Sequence, residues 1–142
     1  MKRIVVLNGP NLNLLGSREV SVYGSTTLKD IENSLRDLAD TNGVELDFWQ
    51  SNHEGQIIDW LHDSNSEETI GVIINPGAFT HYSYAIRDAV AAIRPPVIEV
   101  HISNVHARES FRHHSVIAPV CEGQILGLGV KGYKLAFQSF FL

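Results

Sequence analysis

The chain has 142 residues, a formal net charge of -5, and a composition 44% apolar and 19% charged, which suits a globular protein with one sizeable core. The acidic balance argues against nucleic acid as the main partner, because phosphate backbones need a basic face. It leaves room for an anionic small molecule held by a local arginine cluster. A single cysteine, Cys121, excludes an internal disulfide and fits a reducing compartment. It follows the apolar "IAPV" and reads as a buried structural thiol rather than a nucleophile. No run approaches the length of a membrane span. The apolar "IVVL" before Asn8 is too short for a signal-peptide core, so a cytoplasmic protein with no membrane contact is expected.

"RIVVLN" is a β-branched run ending in turn chemistry, a buried first strand. "TTLKDIENSLRDLADTNG" places Leu28, Ile31, Leu35 and Leu38 at helical spacing, with Thr27 as the cap and Asn42-Gly43 as the stop. "VELDFWQ" alternates like a strand, and "EGQIIDWLHDSN" is an amphipathic helix with Ile57, Ile58 and Leu61 inward. "TIGVIIN" is a third strand, and "YSYAIRDAVAAI" a helix stopped by Pro95-Pro96. "VIEVHI" is a fourth strand, "ARESFRHHS" a short helix, "GQILGLGV" a fifth strand and "YKLAFQSFFL" a last helix. Strand and helix alternate throughout, which predicts one α/β domain over residues 1–142. Its parallel five-stranded sheet is covered by helices on both faces, in a flavodoxin-like arrangement.

Ligands of open parallel sheets bind beyond the carboxyl ends of the strands. The segments at those ends are "NGPNLNLLGSREVSVYG", "SNHEG", "NPGAFTH" and "SNVHAR". They gather amides, histidines, arginines and a tyrosine on one edge. The segment from Leu14 to Tyr23 is rich in Gly and Ser and has the composition of a lid. "GLGVKG" at 127–132 has dinucleotide-site spacing, but the acidic ribose contact about 20 residues further on has no place in the sequence. It reads as a close strand-to-helix turn. The histidines at 113–114 and the His101/His106 pair lack the spacing and partners of a zinc site.

The runs "NGPNLNLLGSRE", "YG", "NPGAFTH" and "IEVHISNVHARESFRHHS", with "GLGVKGY" near the end, closely resemble type II 3-dehydroquinate dehydratase. That resemblance implies a flavodoxin-like fold and a homododecamer, a tetramer of trimers. It also implies dehydration of 3-dehydroquinate to 3-dehydroshikimate without a metal or organic cofactor. Two positions depart from the family pattern: Val20 where proline commonly follows Arg-Glu, and Tyr82 where threonine commonly follows His81. Neither is a group the chemistry uses.

By the same resemblance, Tyr23 is the base that removes a proton beside the ketone. A free tyrosine titrates near 10, so only about one in a thousand is ionised at neutral pH. A neighbouring guanidinium favours phenolate; Arg18 on the same loop is the first candidate and Arg108 the second. His101 matches the general acid for the departing hydroxyl. Glu99, two residues earlier on the same strand face, is placed to hold its ring. Asn11 matches the group that fixes a water or the enolate oxygen. Asn75 and the backbone N–H groups of Ile102 and Ser103 match the carboxylate donors, and His81 and Arg112 the hydroxyl binders. Asp88 matches a contribution made across a subunit contact. Taken singly, each has a plainer reading: a packing aromatic, a core histidine with a satisfied hydrogen bond, an Asn stabilising its own turn. A non-catalytic flavodoxin-like module binding flavin or a carboxylate is the alternative of another class.

Overall fold

The computed structural model describes residues 1–142. Five strands, β1 (Arg3–Asn8), β2 (Glu45–Gln50), β3 (Thr69–Asn75), β4 (Val97–His101) and β5 (Gly123–Leu126), form one sheet in the order β2-β1-β3-β4-β5. Every neighbouring pair is parallel. The helices are α1 (Val20–Tyr23), α2 (Leu28–Asn42), α3 (Glu54–Asp63), α4 (Tyr84–Ala92) and α5 (Lys131–Ser139). The strand order is the flavodoxin-like one, and its switch point lies between β1 and β3.

Period-two alternation sends neighbouring strand residues to opposite faces. Ile4, Val6, Ile73 and Val100 pack with Ile31 and Leu35 of α2 and Tyr133 and Phe137 of α5. On the other face Val5, Leu7, Val72 and Ile74 meet Ile57 and Leu61 of α3 and Ile86 and Val90 of α4. Both faces of the sheet are therefore covered, as the continuous apolar runs of β1 and β3 require. No helix is long and apolar enough to cross a membrane.

Local signals explain most boundaries. Thr27 and Asp30 form a capping box at the start of α2, and Gly43 closes it at φ 66°;. The helix expected from Tyr82 begins instead at Tyr84, because Ser83 caps it by accepting from the Ile86 N–H at 3.1 Å. The last strand stops at Leu126, and Gly127 and Gly129 turn the chain at φ 81° and 64°. A Cβ on Gly132 would lie 3.4 Å from Val100, so "GLGVKG" is the close strand-to-helix turn its sequence suggests. Cys121 is half-buried and burial pushes its thiol up to about 12, which leaves it a structural residue at neutral pH.

The segment "ARESFRHHS" is not one helix. Two 3-10 turns, Val105–Ala107 and Ser110–His113, are separated by extended backbone at Arg108 and Glu109. The Asn104 side chain accepts from the His106 N–H at 3.2 Å and caps the first turn. The break turns the Arg108 guanidinium back toward the sheet edge, where its partners lie.

The turns after β1 and β3 touch at the switch point. The Gly9 N–H donates to the Asn75 carbonyl at 2.8 Å. A Cβ on Gly9 would come within 2.5 Å of the Pro76 carbonyl oxygen, so only glycine permits this approach. The turn after β2 props the same corner: Gln50 Nε2 donates to the Gly9 carbonyl and to Asn52 Oδ1, each at 3.1 Å. Asn52 Oδ1 in turn accepts from the Asn11 N–H at 2.9 Å.

Candidate active site

A cleft opens beyond the carboxyl ends of β1, β3 and β4. Its walls include Asn11, Arg18, Tyr23, Asn75, His81, His101, Ile102, Ser103, Arg108 and Arg112. The chain segment after β1 covers it. Glu19 at φ 41° and Gly24 at φ 79° bracket the short α1, and this kinked passage turns Tyr23 inward.

The Tyr23 hydroxyl accepts a hydrogen bond from Arg108 Nη1 at 2.7 Å. Arg108 is mostly buried, its side chain 13% exposed, and it also donates to Ser103 Oγ at 3.4 Å. The cation touching the phenol oxygen is thus Arg108, the second candidate from the sequence. Arg18 lies over the ring face, its Cζ 5.0 Å from the centroid, and pairs with Glu19. Glu19 also faces Arg108 at 3.8 Å, so one carboxylate steadies both guanidinium groups. The phenol oxygen thus meets a charged donor directly.

At the end of β4, His101 Nε2 meets the Glu99 carboxylate. The nearly buried ring is left with Nδ1 for a ligand. Glu99 is completely buried and accepts further bonds from Thr80 Oγ1 and from Ser115 Oγ, the latter at 3.0 and 3.1 Å. Burial pushes this carboxyl up, but the His101 bond and charge, with the two hydroxyls, hold it below the usual carboxylate value. A buried anion so fully hydrogen-bonded is a rigid anchor for the imidazole.

A third group of donors sits beside these. Ile102 lies just past the end of β4, and the N–H groups of Ile102 and Ser103 donate to no acceptor within the chain. Both residues are buried. Asn75, also buried, ends β3 next to them. Unpaired buried N–H groups are costly unless a ligand meets them, and their neutral, oriented dipoles suit an anion. On the opposite side, His81 Nδ1 donates to the His114 carbonyl at 2.8 Å. That bond fixes the tautomer and leaves Nε2 as an acceptor. Burial lowers the His81 pKa, opposed in part by the His114 carbonyl, so the ring is neutral at pH 7. Arg112 is held by Glu109 at 3.0 Å and lies over the Phe111 ring.

The family model for dehydroquinase class II matches residues 2–141. The chain belongs to this family. It is 63% identical over 139 residues to the 3-dehydroquinate dehydratase of Halalkalibacterium halodurans, covering 98% of this chain and 95% of that one. The 3-dehydroquinate dehydratase of Bacillus pumilus is 62% identical over 138 residues, covering 97% and 93%. The crystal structure of type II dehydroquinase from Butyrivibrio crossotus superposes with a TM-score of 0.96 at 49% identity, covering 99% of this chain and 98% of that one.

Of the site residues named from the sequence, Glu99 stands behind the class II dehydroquinase cleft as the support of His101. Asp88 is exposed on α4 and lies outside this chain's cleft; the others line it. The Asn11 side chain makes no capping bond although its backbone is left-handed at φ 68°, so it is free to face a ligand rather than stabilise its own turn. The "SNHEG" turn supplies no wall and instead braces the turn after β1. Thr80 and Ser115 were not singled out by the sequence. A hydroxyl that serves a carboxylate 16 or 19 residues away leaves no local pattern.

Proposed function

We propose that this chain removes water from 3-dehydroquinate to give 3-dehydroshikimate, acting as a hydro-lyase of the shikimate pathway. The observation that carries the reading is a phenol held by a mostly buried arginine and an imidazole held by a buried glutamate, phenol and imidazole lining one cleft. Relatives 62% and 63% identical are named 3-dehydroquinate dehydratase. A flavodoxin-like module that only bound flavin or a carboxylate would have no use for that pair, and these relatives do not favour it.

The substrate is a cyclic ketone with one carboxylate and several hydroxyls. Asn75 and the Ile102 and Ser103 N–H groups take the carboxylate, while neutral His81 and Arg112 take ring hydroxyls. Tyr23, as phenolate beside Arg108 with Arg18 over its face, removes the proton next to the ketone. The electron pair moves onto the carbonyl oxygen, and Asn11 steadies that enolate directly or through a water. The enolate then collapses as the carbon–oxygen bond to the hydroxyl breaks. His101 gives that oxygen a proton, so it departs as water. Tyr23 gains one proton and His101 loses one, and no cofactor is invoked. Adding 3-dehydroquinate should produce the near-ultraviolet absorbance of a conjugated enone. A flat trace at saturating substrate would defeat the reading.

The chain forms one domain and assembles as a cytoplasmic homododecamer, a tetramer of trimers, in which Asp88 reaches a neighbour's cleft. In support, Tyr82, Tyr84 and Phe111 are exposed by 58, 66 and 56%, large rings of the kind that subunit contacts cover. Sedimentation at micromolar concentration is expected to show a twelve-chain particle. A lone 15.8 kDa species would end the assembly proposal while leaving the chemistry standing.

A further inference from the structure

Beneath the cleft floor a buried polar chain ties Asn75 to Tyr133 and Asn8, two residues that none of the steps above uses. Asn8 and Asn75 end β1 and β3 as register partners. Between them stands Tyr133, in the first turn of α5 and completely buried. The Tyr133 hydroxyl donates to Asn8 Oδ1 at 2.7 Å and accepts from Asn75 Nδ2 at 2.9 Å. Asn8 Nδ2 donates to the Trp49 carbonyl at 3.1 Å, and Asn75 Oδ1 accepts from the Gly77 N–H at 3.2 Å.

Both ends of this chain are backbone groups with no choice of role. The Trp49 carbonyl only accepts, so Asn8 must turn its amine toward it and its oxygen toward Tyr133. Tyr133 has one hydroxyl hydrogen, which Asn8 takes, so the phenol oxygen must accept from Asn75. The Gly77 N–H only donates, which again places the Asn75 oxygen there. Flipping the Asn75 amide would set oxygen against an oxygen with no proton to give, and amine against N–H. Burial also pushes the Tyr133 phenol far above its ordinary value, so it stays a neutral donor and acceptor throughout the working range. The second Nδ2 hydrogen of Asn75 is left uncommitted on a residue that lines the cleft.

We propose that Tyr133 is a positioning residue for the dehydration: with Asn8 it locks the Asn75 amide so that one N–H is presented to the substrate carboxylate. A phenylalanine would fill the same space, and the hydroxyl does this orienting work. The inference rests on Asn75 serving the carboxylate, so the experiment separates the two claims.

KM and kcat for 3-dehydroquinate are measured for Tyr133→Phe, Asn75→Ala and the double variant, each with a urea unfolding midpoint. Asn75→Ala is expected to raise KM. Tyr133→Phe is expected to raise KM about tenfold, the low end of what a hydrogen bond to a charged group is worth, with a smaller change in kcat. The double variant should match Asn75→Ala alone, because the phenol acts only through that amide. Unchanged KM in Tyr133→Phe, with Asn75→Ala impaired, would make the hydroxyl purely structural and overturn the proposal. Multiplied effects in the double variant would overturn it too. Unchanged KM in Asn75→Ala would overturn the assignment of Asn75 itself. If Tyr133→Phe fails to fold, Asn8→Ala tests the same lock, since the freed phenol proton removes the Tyr133 contact that opposes a flipped amide and leaves only the Gly77 N–H against it. A folded Asn8→Ala protein with unaltered KM would equally sink it.

Discussion

Tyr23→Phe is expected to fold, to bind ligand, and to lose at least about 10² to 10⁴ of its turnover, the usual cost of removing a positioned base. The substitution keeps the ring under Arg18 and deletes only the oxygen that Arg108 contacts. Ligand affinity should survive because the carboxylate and hydroxyl donors lie on other elements, at the ends of β3 and β4 and in the 3-10 turns beyond them. The step lost is proton removal, so solvent-deuterium exchange into the acidic position beside the ketone should stop with it. Arg108→Met should imitate this loss more closely than Arg18→Met, since only Arg108 donates to the phenol oxygen. Parent-level turnover in Tyr23→Phe would place the base elsewhere and break the mechanism at its first step.

The contrast between the two arginines marks what the sequence could convey. Arg18 is five positions from Tyr23, and proximity along the chain made it the natural partner. Arg108 is 85 positions away and reaches the phenol only because the backbone breaks between two 3-10 turns. That break defeats the helix expected over "ARESFRHHS": Arg108 and Glu109 are extended where helical spacing suggested continuity. By contrast, the sheet was readable. β1 and β3 are apolar runs closed by turn residues, β2 alternates, and α2 carries its own cap and stop. Alternation of strand and helix implied the parallel sheet, and the edge that binds followed from its open, parallel form. Partners joined through the core were invisible for a simple reason. Tyr133 and Asn8 are 125 positions apart, and a buried hydroxyl looks like any other aromatic until its neighbours are known. Ile102 belongs to the same class: read as strand, it actually lies past the last residue of β4, and its N–H is left without a ladder partner.

His101→Ala is expected to lower kcat by about 10² to 10⁴ while leaving KM nearly intact, because the imidazole serves the leaving hydroxyl and not the anchoring of the ring. Its base step should persist, so this variant should still exchange the acidic hydrogen with deuterium while it barely forms enone. Glu99→Gln separates orientation from acid chemistry. The amide keeps the shape but brings its own N–H hydrogens toward Thr80, Ser115 or His101, all of which now donate to the carboxylate. It should therefore cost turnover less than His101→Ala, and it should alter the pH dependence of folding. Glu99 is held below its ordinary value of 4.5 in the folded chain. Its contribution to stability is then complete above that value and is lost as pH falls through the lower, folded one. The parent protein should lose stability in that acid window more steeply than Glu99→Gln, which has no carboxylate to protonate there. Identical acid unfolding curves would mean that the buried pair is not what holds β4 to the turns over it. Deuterium exchange lost in His101→Ala would move the imidazole from the second step of the reaction to the first.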